Sequence, residues 1–243
     1  MKKVLGCMRR ACEEFSMIED GDRIAVGVSG GKDSMLLLYS LSLYRRYMKI
    51  DYDLVAITVD LGLEGFDLNP VAEYIRALGV EYHIEKTDIG EIVFGRRKEK
   101  NPCSLCSKMR KGAFYKAAKE LGCDKAAFAH HLEDLTGTLL MSMIYEGKLK
   151  TFSPVTYLSR QDITLIRPFL YLEEREIIGQ IHALQIPVVK NPCPVDGSTK
   201  RADVRELLDE LRKYNPDVKK NLLAAIRNVD QYRLWNRPVE KKR

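Results

Sequence analysis

The sequence predicts an α/β protein: a doubly wound, mostly parallel five-stranded sheet extended by C-terminal helices. Three observations carry that expectation. Short apolar runs of strand length alternate with helix-length segments in the β-α-β-α-β order of a parallel sheet. The first of these runs passes through a turn of Ser and Gly directly into a helix. At 243 residues the chain has room for one α/β core with an appendage. We place the core at residues 1–200 and a basic helical extension at 201–243.

The elements follow in order. Residues 7–18 carry apolar side chains at helical spacing and read as a helix before the sheet. Residues 24–28 are the first strand, followed by Ser29, Gly30, Gly31, Lys32, Asp33 and Ser34 and a helix opened by Met35. Such a turn aims backbone N–H groups and the positive end of the helix dipole at one spot, and two glycines leave no Cβ in the way of an anion. The nucleoside-triphosphate P-loop is excluded, because Val26 and Asp33 stand where it needs Gly and Ser or Thr; the dinucleotide fingerprint fails at Ser29. The string that remains resembles the PP-loop of the ATP pyrophosphatases. That resemblance implies an enzyme that holds ATP and releases pyrophosphate while adenylating a substrate.

Residues 53–60 form an apolar run suited to a buried parallel strand. Asn69 and Pro70 cap and start a helix over 71–78, and 80–84 give a third strand. Ligands of doubly wound sheets sit at the carboxyl ends of the strands, which makes Asp60 a candidate adenosine contact or a strand-end cap. Cys103 and Cys106 then open a helix running to about 121. The dipole and four neighbouring cations favour thiolate there, so depressed thiol pKa values are expected. A lone Cys-x-x-Cys can be half a zinc site, an iron–sulfur ligand pair or a redox pair. A fourth strand, 125–129, delivers His130, His131, Glu133 and Asp134 to the same edge, ahead of a helix over 135–145. A fifth, 163–166, leads to Arg167 and Pro168 and a helix over 172–184. Cys193 lies between two prolines on a stiff loop suited to a ligand or catalytic thiol, and two charged helices divided near Pro216 finish the chain. Cys7, Cys12, Cys123, His83 and His182 read as structural.

No apolar run reaches the ~20 residues of a membrane span, and the first residues lack the apolar core of a secretory signal. A cytoplasmic protein with reduced cysteines is expected. The net charge of +6 is concentrated, with a local +6 over 96–111 and +5 over 201–243. Such basic segments suit a polyanion, most simply RNA, or a solvated salt-bridged surface.

Together the PP-loop, Cys103-x-x-Cys106, His130-His131-x-Glu133-Asp134, Arg167-Pro168 and Cys193 resemble, over about residues 1–215, the TtcA-like tRNA 2-thiocytidine synthetases. The resemblance implies 2-thiolation of cytidine in the tRNA anticodon loop, with ATP, Mg²⁺ and a [4Fe-4S] cluster. By residue match, Cys103, Cys106 and Cys193 would hold the cluster, Lys32 the pyrophosphate and Asp33 the Mg²⁺. Ser29, Gly30, Gly31, Ser34, Asp60, His130 and Asp134 would complete the nucleotide site. The partners implied are tRNA and a sulfur donor such as a cysteine desulfurase or sulfide, with a homodimer left open and no membrane. The chain departs from that group at Glu133, where Asp is usual, and at Asp196, where a second late cysteine is common. Two alternatives remain: a PP-loop ligase for another nucleoside or a small molecule with structural zinc, and a nucleotide- or RNA-binding protein without turnover.

Overall fold

The computed structural model describes residues 1–97, 102–190, 192–193 and 200–228. Among these residues six strands form one sheet: β1 (Arg23–Gly27), β2 (Asp53–Asp60), β3 (Glu81–Lys86), β4 (Lys125–Ala127), β5 (Val155–Leu158) and β6 (Ile163–Ile166). Their spatial order is β3-β2-β1-β4-β6-β5, parallel throughout except for β5, which runs antiparallel to β6. The sheet therefore has one strand more than expected. The extra strand is a half-buried edge strand with Tyr157 exposed, and it lacks the apolar run by which the buried strands are recognised.

Among the described residues eight α-helices accompany the sheet: α1 (Lys2–Glu14), α2 (Lys32–Met48), α3 (Asn69–Ala77), α4 (Pro102–Glu120), α5 (Leu132–Glu146), α6 (Glu174–Leu184), α7 (Lys200–Tyr214) and α8 (Val218–Arg227). A π-helical turn, Glu91–Arg96, precedes α4. It draws part of the expected basic segment into local structure, since Arg96 pairs with Glu91 at 2.9 Å; Lys98 and Lys100 lie outside the described residues. The helix α3 starts two residues earlier than expected, so Asn69 and Pro70 lie inside it and Leu68 is the N-cap. Among the described residues no helix is long and apolar enough to cross a membrane.

Strand alternation splits the core between the two sheet faces. Ile24, Val26, Leu54 and Ala56 face one side, where α1, α2 and α6 supply Met8, Leu37, Leu41 and Ile177. Ala25, Val55 and Ile57 face the other, against Phe114, Ala117 and Ala118 of α4. Helix α2 buries Met35, Leu36, Leu37 and Leu38 completely. At about 1.5–3 kcal/mol for each such side chain, this burial fixes the turn before α2 to the sheet. Helix α7 folds back on α5 through Leu140, Val204 and Leu208.

The strand order reverses at β1. From β1 the chain winds outward through β2 to β3, then returns to place β4 on the other flank of β1. The crevice between the carboxyl ends of β1 and β4 is the switch point at which doubly wound sheets bind ligands. The turn 29–34 leaves β1 there, and His130 and His131 leave β4 there.

Candidate active site

The turn after β1 is built around Gly30, whose φ of +78° is accessible to glycine at little cost. A Cβ at this position would stand 2.3 Å from Cγ2 of Val189. The Val189 N–H donates to the Gly30 carbonyl at 3.0 Å, so the segment leading to Cys193 lies directly on the turn. Ser34 braces it from within: its Oγ donates to the Gly31 carbonyl at 2.9 Å and accepts the Ser29 N–H at 3.2 Å. The Ser29 hydroxyl is 3.3 Å from the Ser34 hydroxyl and accepts the Gly31 N–H at 3.4 Å. Helix α2 begins at Lys32 without a side-chain cap, leaving first-turn N–H groups and the positive dipole end for an anion.

Lys32 is half-buried and bridges Glu174 of α6 at 2.8 Å and Asp33 at 3.1 Å. Partial burial pulls its pKa down, but the two carboxylates outweigh burial and raise it. One Asp33 oxygen takes that lysine contact; the other, Oδ1, is buried without a hydrogen-bond partner among the described residues. A buried carboxylate oxygen without a donor fits a divalent cation. Asp60 acts as a cap for the β2 end, its carboxylate accepting the Gly62 N–H at 3.0 Å.

At the end of β4, α5 starts three residues earlier than expected because the Asp134 carboxylate accepts the His131 N–H at 3.1 Å and closes the first turn. His131 is fully buried. Burial lowers its pKa, but Glu133, Asp134 and Asp33 raise it by more. Glu133 is buried and spoken for. It faces His131 Nδ1 at 3.0 Å, accepts the Glu174 N–H at 3.0 Å and receives the Lys219 ammonium of α8. Burial pushes its pKa up, yet these partners bring it down to about 2. The residue that departs from the Asp-Asp pattern thus ties α5, α6 and α8 together. Glu174 and Lys219 carry no local signature; their partners lie 142 and 86 residues away.

Cys106 is buried with Leu61, Ile89 and Val93 below the ends of β2 and β3, Cys103 is exposed, and Cys193 is half-buried. The Cys106 thiol responds to both others. Burial raises its pKa first, Arg110 lowers it, and Cys193 and Cys103 raise it further. The expected depression is therefore reversed at Cys106, because loss of water and two neighbouring thiols outweigh the nearby cation. Bringing three thiols within electrostatic reach favours a bound cationic group, and the donor set fits iron or zinc in kind. Among the described residues no three Cys, His, Asp or Glu side chains stand close enough to enclose a metal ion. Cys7, Cys12 and Cys123 lie elsewhere, and burial pushes Cys12 to about 12 and Cys123 to about 11.

His130 lies beside Arg167, and burial followed by that guanidinium lowers its pKa to about 4. Arg167 is buried, its Nη1 donating to the Ser153 carbonyl and Thr156 Oγ1. The PP-loop, the two histidines, Asp134 and Arg167 thus line adjacent strand ends, with the cysteines on the α4 side.

Comparison with known proteins agrees with this geometry. Residues 7–211 match the PP-loop domain family. The chain is 43% identical over 231 residues to the tRNA-cytidine(32) 2-sulfurtransferase of Geobacter sulfurreducens, covering 94% of this chain and 90% of that one. It is 40% identical over 243 residues to the same-named protein of Geobacter metallireducens, covering 99% and 95%. Among solved structures, the U34-tRNA thiolase NcsA from Methanococcus maripaludis with its [4Fe-4S] cluster superposes with a TM-score of 0.73 at 25% identity, covering 91% of this chain and 76% of that one. The chain belongs to the PP-loop family and, within it, to the tRNA-cytidine(32) 2-sulfurtransferases.

Proposed function

We propose that the protein is a cytoplasmic, ATP-dependent tRNA sulfurtransferase that replaces the 2-oxygen of a cytidine in the anticodon loop with sulfur. The observation that carries this reading is the phosphate turn at the switch point of the sheet, with Asp33 Oδ1 buried and unpartnered among the described residues and Cys106 buried beside the neighbouring ends of β2 and β3. A base carbonyl oxygen is a poor leaving group. Its attack on the α-phosphorus of ATP expels pyrophosphate and joins the oxygen to AMP; a sulfur nucleophile then adds at the carbon and AMP departs with the oxygen.

The residues divide this work. Lys32 exchanges its Glu174 contact for the pyrophosphate, and the uncapped amides of α2 with Gly30 and Gly31 take the phosphates. Ser29 and Ser34 hold the turn open. Asp33 Oδ1 is the seat for Mg²⁺, while Asp60, His130 and Asp134 flank the nucleotide. Cys103, Cys106 and Cys193 would hold a [4Fe-4S] cluster, which would bind and deliver the sulfur. The sulfur comes from a cysteine desulfurase or sulfide.

The test is anaerobic purification followed by a pyrophosphate assay. A brown protein that forms AMP and pyrophosphate only when tRNA is added supports the reading. A colourless zinc protein that adenylates without RNA would replace it with a small-molecule ligase.

A further inference from the structure

A cavity with His130 and Asp134 on its wall extends the site to residues that the chemistry assigned so far does not use. It lies between the ends of β4 and β6 and helices α5 and α7, with Phe128, Phe152 and Met141 among its apolar walls. Three cations reach it, Lys111 from α4 and Arg201 and Arg205 from α7. Among the described residues no carboxylate pairs with Lys111 or Arg201, and Arg205 makes one long ion pair, with Asp134 at 3.9 Å. The cations also crowd one another: partial burial, then Arg201, Arg167 and Arg110, lower the Lys111 pKa. Such a mouth attracts an anion.

Two residues that line the cavity each have a buried polar atom without a partner among the described residues, Nε of Arg167 and Nδ1 of His130. Arg167 is only 8% exposed, and its guanidinium is fixed by the Ser153 carbonyl, by Thr156 and by the Phe152 ring 4.9 Å away. Its Nε–H can only donate, so it calls for a ligand acceptor. A neutral His130 can donate or accept at Nδ1, as its tautomer dictates. A cytosine edge offers this complement: a carbonyl oxygen and a ring nitrogen as acceptors, and an exocyclic amine as donor. The flat ring suits the aromatic walls, and its flanking phosphates suit the cations.

The cavity shares elements with both halves of the chemistry. Asp134 on its wall holds the His131 N–H, and His131 lies within the field of Asp33. Lys111 lies five residues beyond Cys106 on α4. We propose that this cavity seats the target pyrimidine nucleotide, with its polar edge toward Arg167 and His130 and its phosphates on Lys111, Arg201 and Arg205. The assignment rests on the tRNA reading above and adds its substrate pocket.

Photo-cross-linking tests it, using tRNA with 5-bromocytidine at position 32, the position in the relatives' names, and the anaerobically purified full chain. Adducts on peptides containing Phe128, Met141 or Phe152 are expected. Kinetics supply the second readout: Arg201→Glu should raise the KM for tRNA about tenfold, the equivalent of 1.4 kcal/mol, with the KM for ATP and the melting temperature unchanged. Arg167→Lys should lower kcat/KM for tRNA by more, and ATP binding checks that it is folded. If tRNA is bound and triggers pyrophosphate release but cross-links elsewhere, for example at the 61–68 loop, with an unchanged KM in Arg201→Glu, the pocket assignment is wrong and the enzyme reading stands. If tRNA neither binds nor triggers release, both fall.

Discussion

Replacing Glu133 by Gln removes a buried charge while keeping the shape of the side chain. The Lys219 ammonium, whose side chain is 12% exposed, then faces no carboxylate at that point, and the Glu174 N–H and His131 keep only a neutral acceptor. Two routes give the cost. The Glu133 pKa falls from 4.5 to about 2 on folding, and at about 1.4 kcal/mol per unit this amounts to roughly 3 kcal/mol. Breaking a buried ion pair from one side costs about 3–5 kcal/mol. At about 2–4 °C per kcal/mol for a chain of this size, the melting temperature should drop by roughly 6–12 °C. The sign in pH follows from the depressed pKa: the stabilisation is full above 4.5 and disappears as pH falls towards 2. Urea unfolding of wild type should therefore weaken over that window, and Glu133→Gln should show a flatter profile. Adding Lys219→Met to Glu133→Gln should recover part of the loss, because the stranded ammonium is removed. A loss below about 1 kcal/mol, the scale of an exposed pair, would show that α8 is not clasped to the site through Glu133.

Other perturbations separate the parts of the site. Gly30→Ala must adopt φ near +78° and push Val189 off the turn; it should cost about 1–3 kcal/mol and weaken ATP binding in calorimetry, whereas wild-type affinity would mean the turn does not hold the phosphates. Asp33→Ala should abolish tRNA-dependent pyrophosphate release with an unchanged circular dichroism spectrum; release at the wild-type rate would reduce Asp33 to a helix-end residue. Cys193→Ala should lose iron and thiolation while keeping ATP binding, and Cys7→Ala, Cys12→Ala and Cys123→Ala should keep all three. Iron retained in Cys193→Ala but lost in Cys123→Ala would reverse the ligand assignment.

The parts of the protein legible in the sequence are those whose signal is local. The β2 run over 53–60 is a strand from end to end, and the string 29–34 announces both its turn and its anion. The strand β5 is not legible, because an edge strand with one wet face has no continuous apolar run. The early start of α5 depends on a carboxylate reaching back to a backbone amide, so Glu133 and Asp134 look like loop residues until the turn is closed. The direction of the Cys106 pKa is hidden for a similar reason: the cations beside it are visible in sequence, whereas its burial with Leu61 and Val93 and the influence of Cys193 are tertiary facts. Long-range partners are the least accessible. Nothing near Lys32 names Glu174, nothing near Glu133 names Lys219, and the need for glycine at 30 is explained only once Val189 lies upon it.

One site is expected to couple adenylation to sulfur insertion in tRNA. Iron-loaded protein, ATP, Mg²⁺, sulfide and unmodified tRNA should be combined anaerobically, and the digested nucleosides analysed by mass spectrometry beside the AMP and pyrophosphate produced. Appearance of 2-thiocytidine in proportion to both products is the predicted result. AMP and pyrophosphate accumulating with no thionucleoside, or with the sulfur in a uridine, would contradict the account.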